Sequence, residues 1–265
     1  MKNKESWQVE AGAAKFYEQH FVPALYAQWA PRTVRAAHIK RGDRVLDIAT
    51  GTGIVARFAE NQTAPTGSVV GYDINPGMLT LANSIGPHIE WVVGPAEKLP
   101  FEAESFDAVT CQFGLSYFQD PAAALREMKR VLRKGGRLAL TVWDSLDNNP
   151  GYRALIQLVE DVCGSKAADM LREPYAFGDL ALLKAECSDA GFPIMPVDTI
   201  EGMAKFASVR EWLEAEIKTS PVQHLISGEQ FETLQTKAEK ALRPFTTSDG
   251  RVLFHAPAHI ATAVK

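Results

Sequence analysis

The chain has 265 residues, 46% hydrophobic and 23% charged, a profile that supports a sizeable buried core and excludes a disordered or collagen-like chain. Its 28 Lys and Arg stand against 32 Asp and Glu for a formal net charge of -4, so no global positive field exists to hold bulk nucleic acid. Cys111, Cys163 and Cys187 form no C-x-x-C pair, and neither a disulfide framework nor a zinc ribbon is indicated.

The lead of residues 1–43 is expected to be helical, most clearly over 14–21, where Tyr17 and His20 lie one turn apart. Residues 1–7 include no apolar stretch of signal-peptide length, and no later run approaches the ~18 apolar residues needed to span a bilayer, so a cytoplasmic protein is expected. From residue 44 short apolar runs alternate with amphipathic stretches, the pattern of strand, crossover helix and parallel strand. Residues 45–48 read as a first strand closed by Gly51-Thr52-Gly53, and Ile54, Val55, Phe58 and Ala59 follow at helical spacing up to Gly67. Residues 68–73 make a second strand, and Pro76 suits the first turn of the next helix. Residues 88–93, 106–112 and 137–143 read as the third, fourth and fifth strands. The helix over 121–132 buries Leu125, Met128, Val131 and Leu132, turns Arg126, Lys129, Arg130, Arg133 and Lys134 to solvent, and is expected to end at Gly135-Gly136.

Beyond Trp143 the alternation lapses. Helical patterns cover 151–163, 179–190, 208–217 and 228–242, with a strand over 198–206 and another over 258–264 after Pro257. The expected arrangement is a doubly wound α/β sheet over 44–143, a helical lead before it, a helical cap with a late strand over 144–250, and a C-terminal strand within 251–265.

Ligands of such sheets bind beyond the carboxyl ends of the strands. Gly51-Thr52-Gly53-Ile54-Val55-Ala56 satisfies G-x-G-x-x-[GA], and Asp73 ends the second strand where a carboxylate can accept ribose hydroxyls. Alone, this fits a nicotinamide cofactor. Asp47, four residues before Gly51, argues otherwise: it would repel a pyrophosphate, whereas S-adenosylmethionine brings an ammonium and a sulfonium. Tying down the loop through its N–H groups is a second role open to Asp47. In the loop after the third strand, Ala96 and Glu97 offer a small face and an acceptor to an adenine.

The runs Val45-Leu46-Asp47-Ile48-Ala49-Thr50-Gly51-Thr52-Gly53, Gly71-Tyr72-Asp73-Ile74-Asn75, Gly94-Pro95-Ala96-Glu97-Lys98-Leu99-Pro100-Phe101 and Ser105-Phe106-Asp107-Ala108-Val109, followed by residues 124–136, resemble the class I S-adenosylmethionine-dependent methyltransferases, with the flavour of the ubiquinone/menaquinone-biosynthesis enzymes and their small-molecule relatives. The resemblance implies a Rossmann-like seven-stranded sheet, mostly parallel, with residues 258–264 as an antiparallel last strand. It implies S-adenosylmethionine as cofactor, with Asp73 on the ribose, Ile74 and Met78 against the adenine, and Ala96 and Glu97 at its edge. Asp47, Ala49, Thr50, Gly51 and Gly53 would hold the methionine portion, and Gln112 and Tyr17 join the candidate donor contacts. Ala49 departs from the family's more usual Gly or Cys.

Because a sulfonium methyl is already electrophilic, alignment and exclusion of water are the main requirements, and no metal is expected. His255 and His259 straddle Pro257, which argues against a shared helical face. His20 is the candidate general base, with a packing role as the plainer reading and His224 a weaker candidate. Tyr17, His20, Phe113, Tyr117, Trp143 and Trp212 are the candidate acceptor contacts, suiting a small apolar or aromatic molecule. A monomer or homodimer acting on a small-molecule acceptor is expected. RNA or protein methylation, a nicotinamide oxidoreductase and a non-catalytic cofactor-binding module are the alternatives.

Overall fold

The computed structural model describes residues 11–192 and 195–265, and the first ten residues of the expected lead lie outside the described residues. Helix α1 (Ala11–Phe16) runs into a wider π-type helix (Tyr17–Tyr26), which contains Pro23 and buries Phe21, Val22, Ala24 and Leu25. Helix α2 (Ala30–Ala36) then leads to the sheet, with a proline in its first turn.

The first five strands come in the predicted order: β1 (Arg44–Ile48), β2 (Ser68–Asp73), β3 (Glu90–Val93), β4 (Phe106–Gln112) and β5 (Leu132–Trp143). Val45, Leu46, Asp47 and Ile48 are all buried, because β1 is central and covered on both faces, so it reads as a continuous run rather than an alternation. It pairs in parallel with β2 and β4. Strand β6 (Val197–Ile200) and the last strand, β9 (Ala258–Val264), complete a seven-stranded sheet in the order β3-β2-β1-β4-β5-β9-β6. β9 runs antiparallel to both neighbours, as the resemblance implies. Helices α3 (Ile54–Thr63), α4 (Pro76–Ile85) and α5 (Pro121–Val131) make the crossovers. Since the chain winds outward from β1 through β2 and β3, then returns to β4 on the other side, a crevice opens at the carboxyl ends of β1 and β4.

Three boundaries differ from the sequence reading. Helix α5 stops at Val131: Leu132 turns extended at φ -65° and ψ 134°, is fully buried and pairs with Phe106, so the fifth strand starts there and the Gly135-Gly136 pair lies in an irregular stretch within it. Strand β3 starts at Glu90 because Ile89 is still held in the preceding turn by Gly86. The single strand expected over 198–206 is two: β6 joins the main sheet, while β7 (Met203–Phe206) pairs with β8 (Val252–His255) in a separate two-stranded sheet. Gly202 divides them, since a Cβ there would stand 2.2 Å from the Trp29 ring and 2.6 Å from the Ala256 carbonyl. Residues 251–265 therefore contribute two strands, of which only β9 completes the main sheet.

Beyond β5, helices α6 (Pro150–Cys163), α7 (Ser165–Arg172), α8 (Leu180–Asp189), α9 (Val209–Lys218) and α10 (Gly228–Ala241) follow. All but α7 coincide with predicted patterns. Asp179 and Ser208 cap α8 and α9, and Ser227 with Gln230 forms a capping box for α10. Phe21, Leu25 and Trp29 share one apolar cluster with Tyr152, Trp212 and Phe254, so the N-terminal segment and these later helices have a common core. Among the described residues no helix is long and apolar enough to cross a membrane.

Candidate functional site

The turn after β1 is held from below by a carboxylate. Asp47 Oδ2 accepts a hydrogen bond from the Thr50 hydroxyl at 2.5 Å and Oδ1 one from the Thr110 hydroxyl at 2.7 Å. Thr110 is its register partner on β4, which accounts for the second bond. Burial pushes the Asp47 carboxyl up to about 6, against the hydroxyls and the Ala56 N–H that favour its charge. Asp47 thus ties the loop down through the Thr50 hydroxyl rather than through the loop N–H groups expected from the sequence, while Thr110 fastens the carboxylate to β4. Ala49 and Gly51 both take positive φ, 55° and 56°, a strained conformation for Ala49 and an easy one for glycine.

The end of β2 grips the same turn. Asp73 Oδ2 accepts from the Gly51 N–H and Oδ1 from the Asn75 N–H, each at 2.8 Å. Burial raises the Asp73 carboxyl, while the N–H groups of Asn75, Gly51 and Ile74 oppose the rise. Asn75 caps α4 through the N–H groups of Gly77 and Met78. Ile74 stays 36% exposed beside this carboxylate, an apolar surface free to pack on a ligand.

One cavity runs from this turn to the helices that follow β5. Its walls include Asp47, Ala49, Thr50, Gly51, Asp73, Ile74, Met78, Ala96, Glu97 and Gln112 at one end, and Tyr17, Phe113, Tyr117 and Trp143 further in. Glu97 accepts from the Gln119 N–H at 2.8 Å, and Gln112 accepts from the Thr33 hydroxyl at 3.0 Å. Phe113, at φ 59°, stacks on Trp143 with ring centroids 3.8 Å apart. Tyr17 lies between the two ends: burial first, then Tyr117, Glu18 and Asp73, raise its hydroxyl pKa.

Three sequence-predicted residues stand elsewhere. Gly53 does not line the cavity; a Cβ on it would meet the Trp91 ring at 2.3 Å, so this glycine makes room for an indole packed behind the turn. His20 is also outside the lining: its Nδ1 pairs with Glu211 Oε1 at 2.8 Å and its ring stacks on Phe16, the packing role that a histidine on this helix fills. Trp212 is fully buried behind the wall, stacked on Phe206 and close to Tyr152 and Phe254. His255 meets Glu201 at the surface, whereas His259 is buried between Thr199 and Asp144, so the two do not converge. Among the described residues no group of three or more His, Cys, Asp or Glu is placed to hold a metal ion.

Sequence reasoning missed the far end of the cavity, where Tyr26, Tyr152, Tyr175 and the buried Glu216 contribute. A signal was present. Glu216 falls on the stripe of Val209, Trp212, Leu213 and Ile217, all buried, and a carboxylate on the apolar stripe of a helix marks a site rather than a solvated face. Glu18 was missed as well: it accepts from the Thr52 hydroxyl and pairs with Arg57 at 2.8 Å, docking the N-terminal segment onto the turn.

The fold agrees with the chain's similarities to known proteins. Residues 46–140 match the family described as "Methyltransferase domain". The chain is 41% identical over 119 residues to the ubiquinone/menaquinone biosynthesis C-methyltransferase UbiE of Xylella fastidiosa, a match covering 43% of this chain and 47% of that protein. It is 42% identical over 132 residues to the protein of the same description from Hahella chejuensis, covering 48% and 53%. The chain thus spans about half the length of the curated relatives it matches. Among solved structures, YcgJ from Bacillus subtilis superposes with a TM-score of 0.62 at 19% identity, covering 90% of this chain and 98% of that one. A Haemonchus contortus phosphoethanolamine N-methyltransferase, solved with S-adenosylhomocysteine, gives 0.60 at 20% identity and covers 96% and 57%. The residues that hold most of β1, all of β2 to β4, their turn and most of β5 therefore match a methyltransferase domain.

Proposed function

We propose that the chain transfers a methyl group from S-adenosylmethionine to an oxygen, nitrogen or carbon atom of a small, apolar or aromatic molecule, by in-line displacement without a metal. The observation that carries this reading is the single cavity joining the Asp47–Asp73 end to an aromatic chamber. Its residues fit the donor. Asp47 and Asp73 are both raised by burial, and among the described residues no cation is one of the groups acting on either, so a ligand bringing an ammonium and a sulfonium supplies the missing charge while a pyrophosphate opposes it.

When bound, the donor supplies a methyl made electrophilic by the sulfonium. Asp47 and the backbone of Ala49–Gly51 hold the methionine portion, and Asp73 keeps acceptor sites for the ribose hydroxyls beyond its two N–H bonds. Ile74 and Met78 pack on the base, with Ala96 and Glu97 at its edge. Tyr17, Phe113, Tyr117 and Trp143 exclude water and align the acceptor. Gly53, His20 and Trp212 support neighbouring groups instead. The regions divide accordingly: residues 44–143 serve mainly the donor, lending Phe113, Tyr117 and Trp143 to the acceptor, while residues 1–30 and about 145–250 select the acceptor. The reading places the protein in the cytoplasm, in keeping with three free thiols, as a monomer or homodimer.

Calorimetry with S-adenosylmethionine and NAD tests the donor: binding of the first and not the second is expected, and the reverse overturns the reading. Transfer from labelled donor into a metabolite extract, against tRNA and protein controls, tests the acceptor. Label confined to tRNA or protein overturns the small-molecule assignment.

A further inference from the structure

The far end of the cavity holds an acid with no resident counter-charge. Glu216 is buried on α9 and lines the cavity, and among the described residues it joins no salt bridge. Its Oε1, the Tyr152 hydroxyl and the Trp212 indole N–H are buried side by side without full hydrogen-bond geometry, the two donors being only near enough to favour the carboxylate's charge. A buried carboxylate without a cation is costly, and it persists where a ligand completes it. The surrounding rings show which ligand. Tyr26 comes from the N-terminal segment, Tyr117 from the connection after β4, Tyr152 from α6 and Tyr175 from the connection after α7, and each of the four hydroxyls feels the Glu216 charge. Aromatic faces and a carboxylate attract the same partner, an organic cation on an apolar body.

We infer that Glu216 is the counter-ion for the acceptor, and that the acceptor is a small aromatic or apolar amine held as its ammonium, the methyl going to a different atom that keeps its lone pair or carbanion character. This deepens the methyl-transfer reading and rests on it. The other charged groups near α9 face elsewhere. His20 is paired with Glu211, Lys218 with Glu214, and Lys205 and His224 are exposed. The four tyrosines are all raised by burial and stay neutral near pH 7. Burial pushes the Glu216 carboxyl up to about 7, and the Tyr152 hydroxyl and Trp212 indole only partly offset it. A bound cation draws that value down, so cation binding releases a proton near neutral pH and weakens as the pH falls.

Phenyltrimethylammonium and tert-butylbenzene have the same shape and differ in charge, which makes them the probes. Calorimetry on the full chain at pH 8 is expected to show the cation preferred by at least about tenfold, a preference that shrinks about tenfold per pH unit below pH 7. Glu216→Gln should bring the two affinities within about threefold, and Glu216→Asp should keep part of the preference. Equal affinities in the unaltered chain, failure of both probes to bind, or a preference unchanged by pH each overturn the inference, and the pH series needs no variant to fold. S-adenosylhomocysteine binding, measured on the same samples, separates the two readings. Donor binding without cation preference overturns this inference alone; cation preference without donor binding overturns the methyl-transfer reading beneath it.

Discussion

Asp47 is buried in the central strand and keeps its charge against the cost of desolvation, with its carboxyl raised to about 6. A carboxyl raised by folding favours the folded state most below its unfolded pKa, near 3.8, and that contribution is lost as the pH rises through about 6. Donor binding runs the other way, because a cation needs the ionised form. Calorimetry is expected to show S-adenosylmethionine affinity rising about tenfold per unit from pH 5 towards 6 and levelling above it. Asp47→Asn should bind more weakly, with most of the slope gone. Asp73→Ala should weaken donor binding by roughly 2 to 4 kcal/mol, since it leaves ribose hydroxyls unpaired and releases the Gly51 N–H; an unchanged Kd in a folded variant removes Asp73 from the ribose. His20→Ala should leave the pH–rate profile as it was, because the imidazole is spent on Glu211. Asp47 and Asp73 were legible in the sequence because each sits at a fixed offset from a glycine turn at a strand end. Glu216 was legible only as a carboxylate on the apolar stripe of α9 and not as part of this cavity, because its neighbours come from four distant segments, and His20 and Trp212 misled because residue type on a helix does not say which side faces a cavity.

Glycines do packing work in the strands and turns around Trp91. A Cβ on Gly71, in β2, would stand 2.3 Å from that ring, as would one on Gly53 in the turn, and the indole N–H donates to the Gly86 carbonyl at 3.0 Å. Gly71→Ala should therefore cost about 1 to 3 kcal/mol by overpacking, measured by urea unfolding. Combining it with Trp91→Leu should recover part of the loss, and strict additivity would show that the two side chains do not compete for one space. Gly53 had been read through the ligand, when its missing side chain answers to the far side of the turn. Periodicity revealed the strands and most helices because burial on one or both faces writes itself into local sequence. It could not show that residues 198–206 serve two sheets, since that division depends on the approach of Trp29 and Ala256 to Gly202, contacts set by segments far along the chain.

At the scale of the molecule, the N-terminal segment touches both halves of the cavity. Glu18 engages Thr52 and Arg57 beside the donor turn, while His20 holds Glu211, and Gln28 both donates to the Met203 carbonyl and accepts from its N–H. Trp212→Ala should cost about 3 to 5 kcal/mol, because its ring is fully buried in the cluster shared by this segment and the later helices. Donor affinity should then change only through loss of folded protein, which thermal unfolding with and without donor would separate. Glu18→Ala should speed donor dissociation several-fold in stopped-flow measurements, with a smaller effect on stability. A segment fastened at both ends also makes the two ligands thermodynamic partners. If occupancy of the donor end tightens the segment's hold on α9, the acceptor must strengthen donor binding by the same factor. Each ligand would then lower the other's dissociation constant equally, the segment acting as a clasp that both ends help to close.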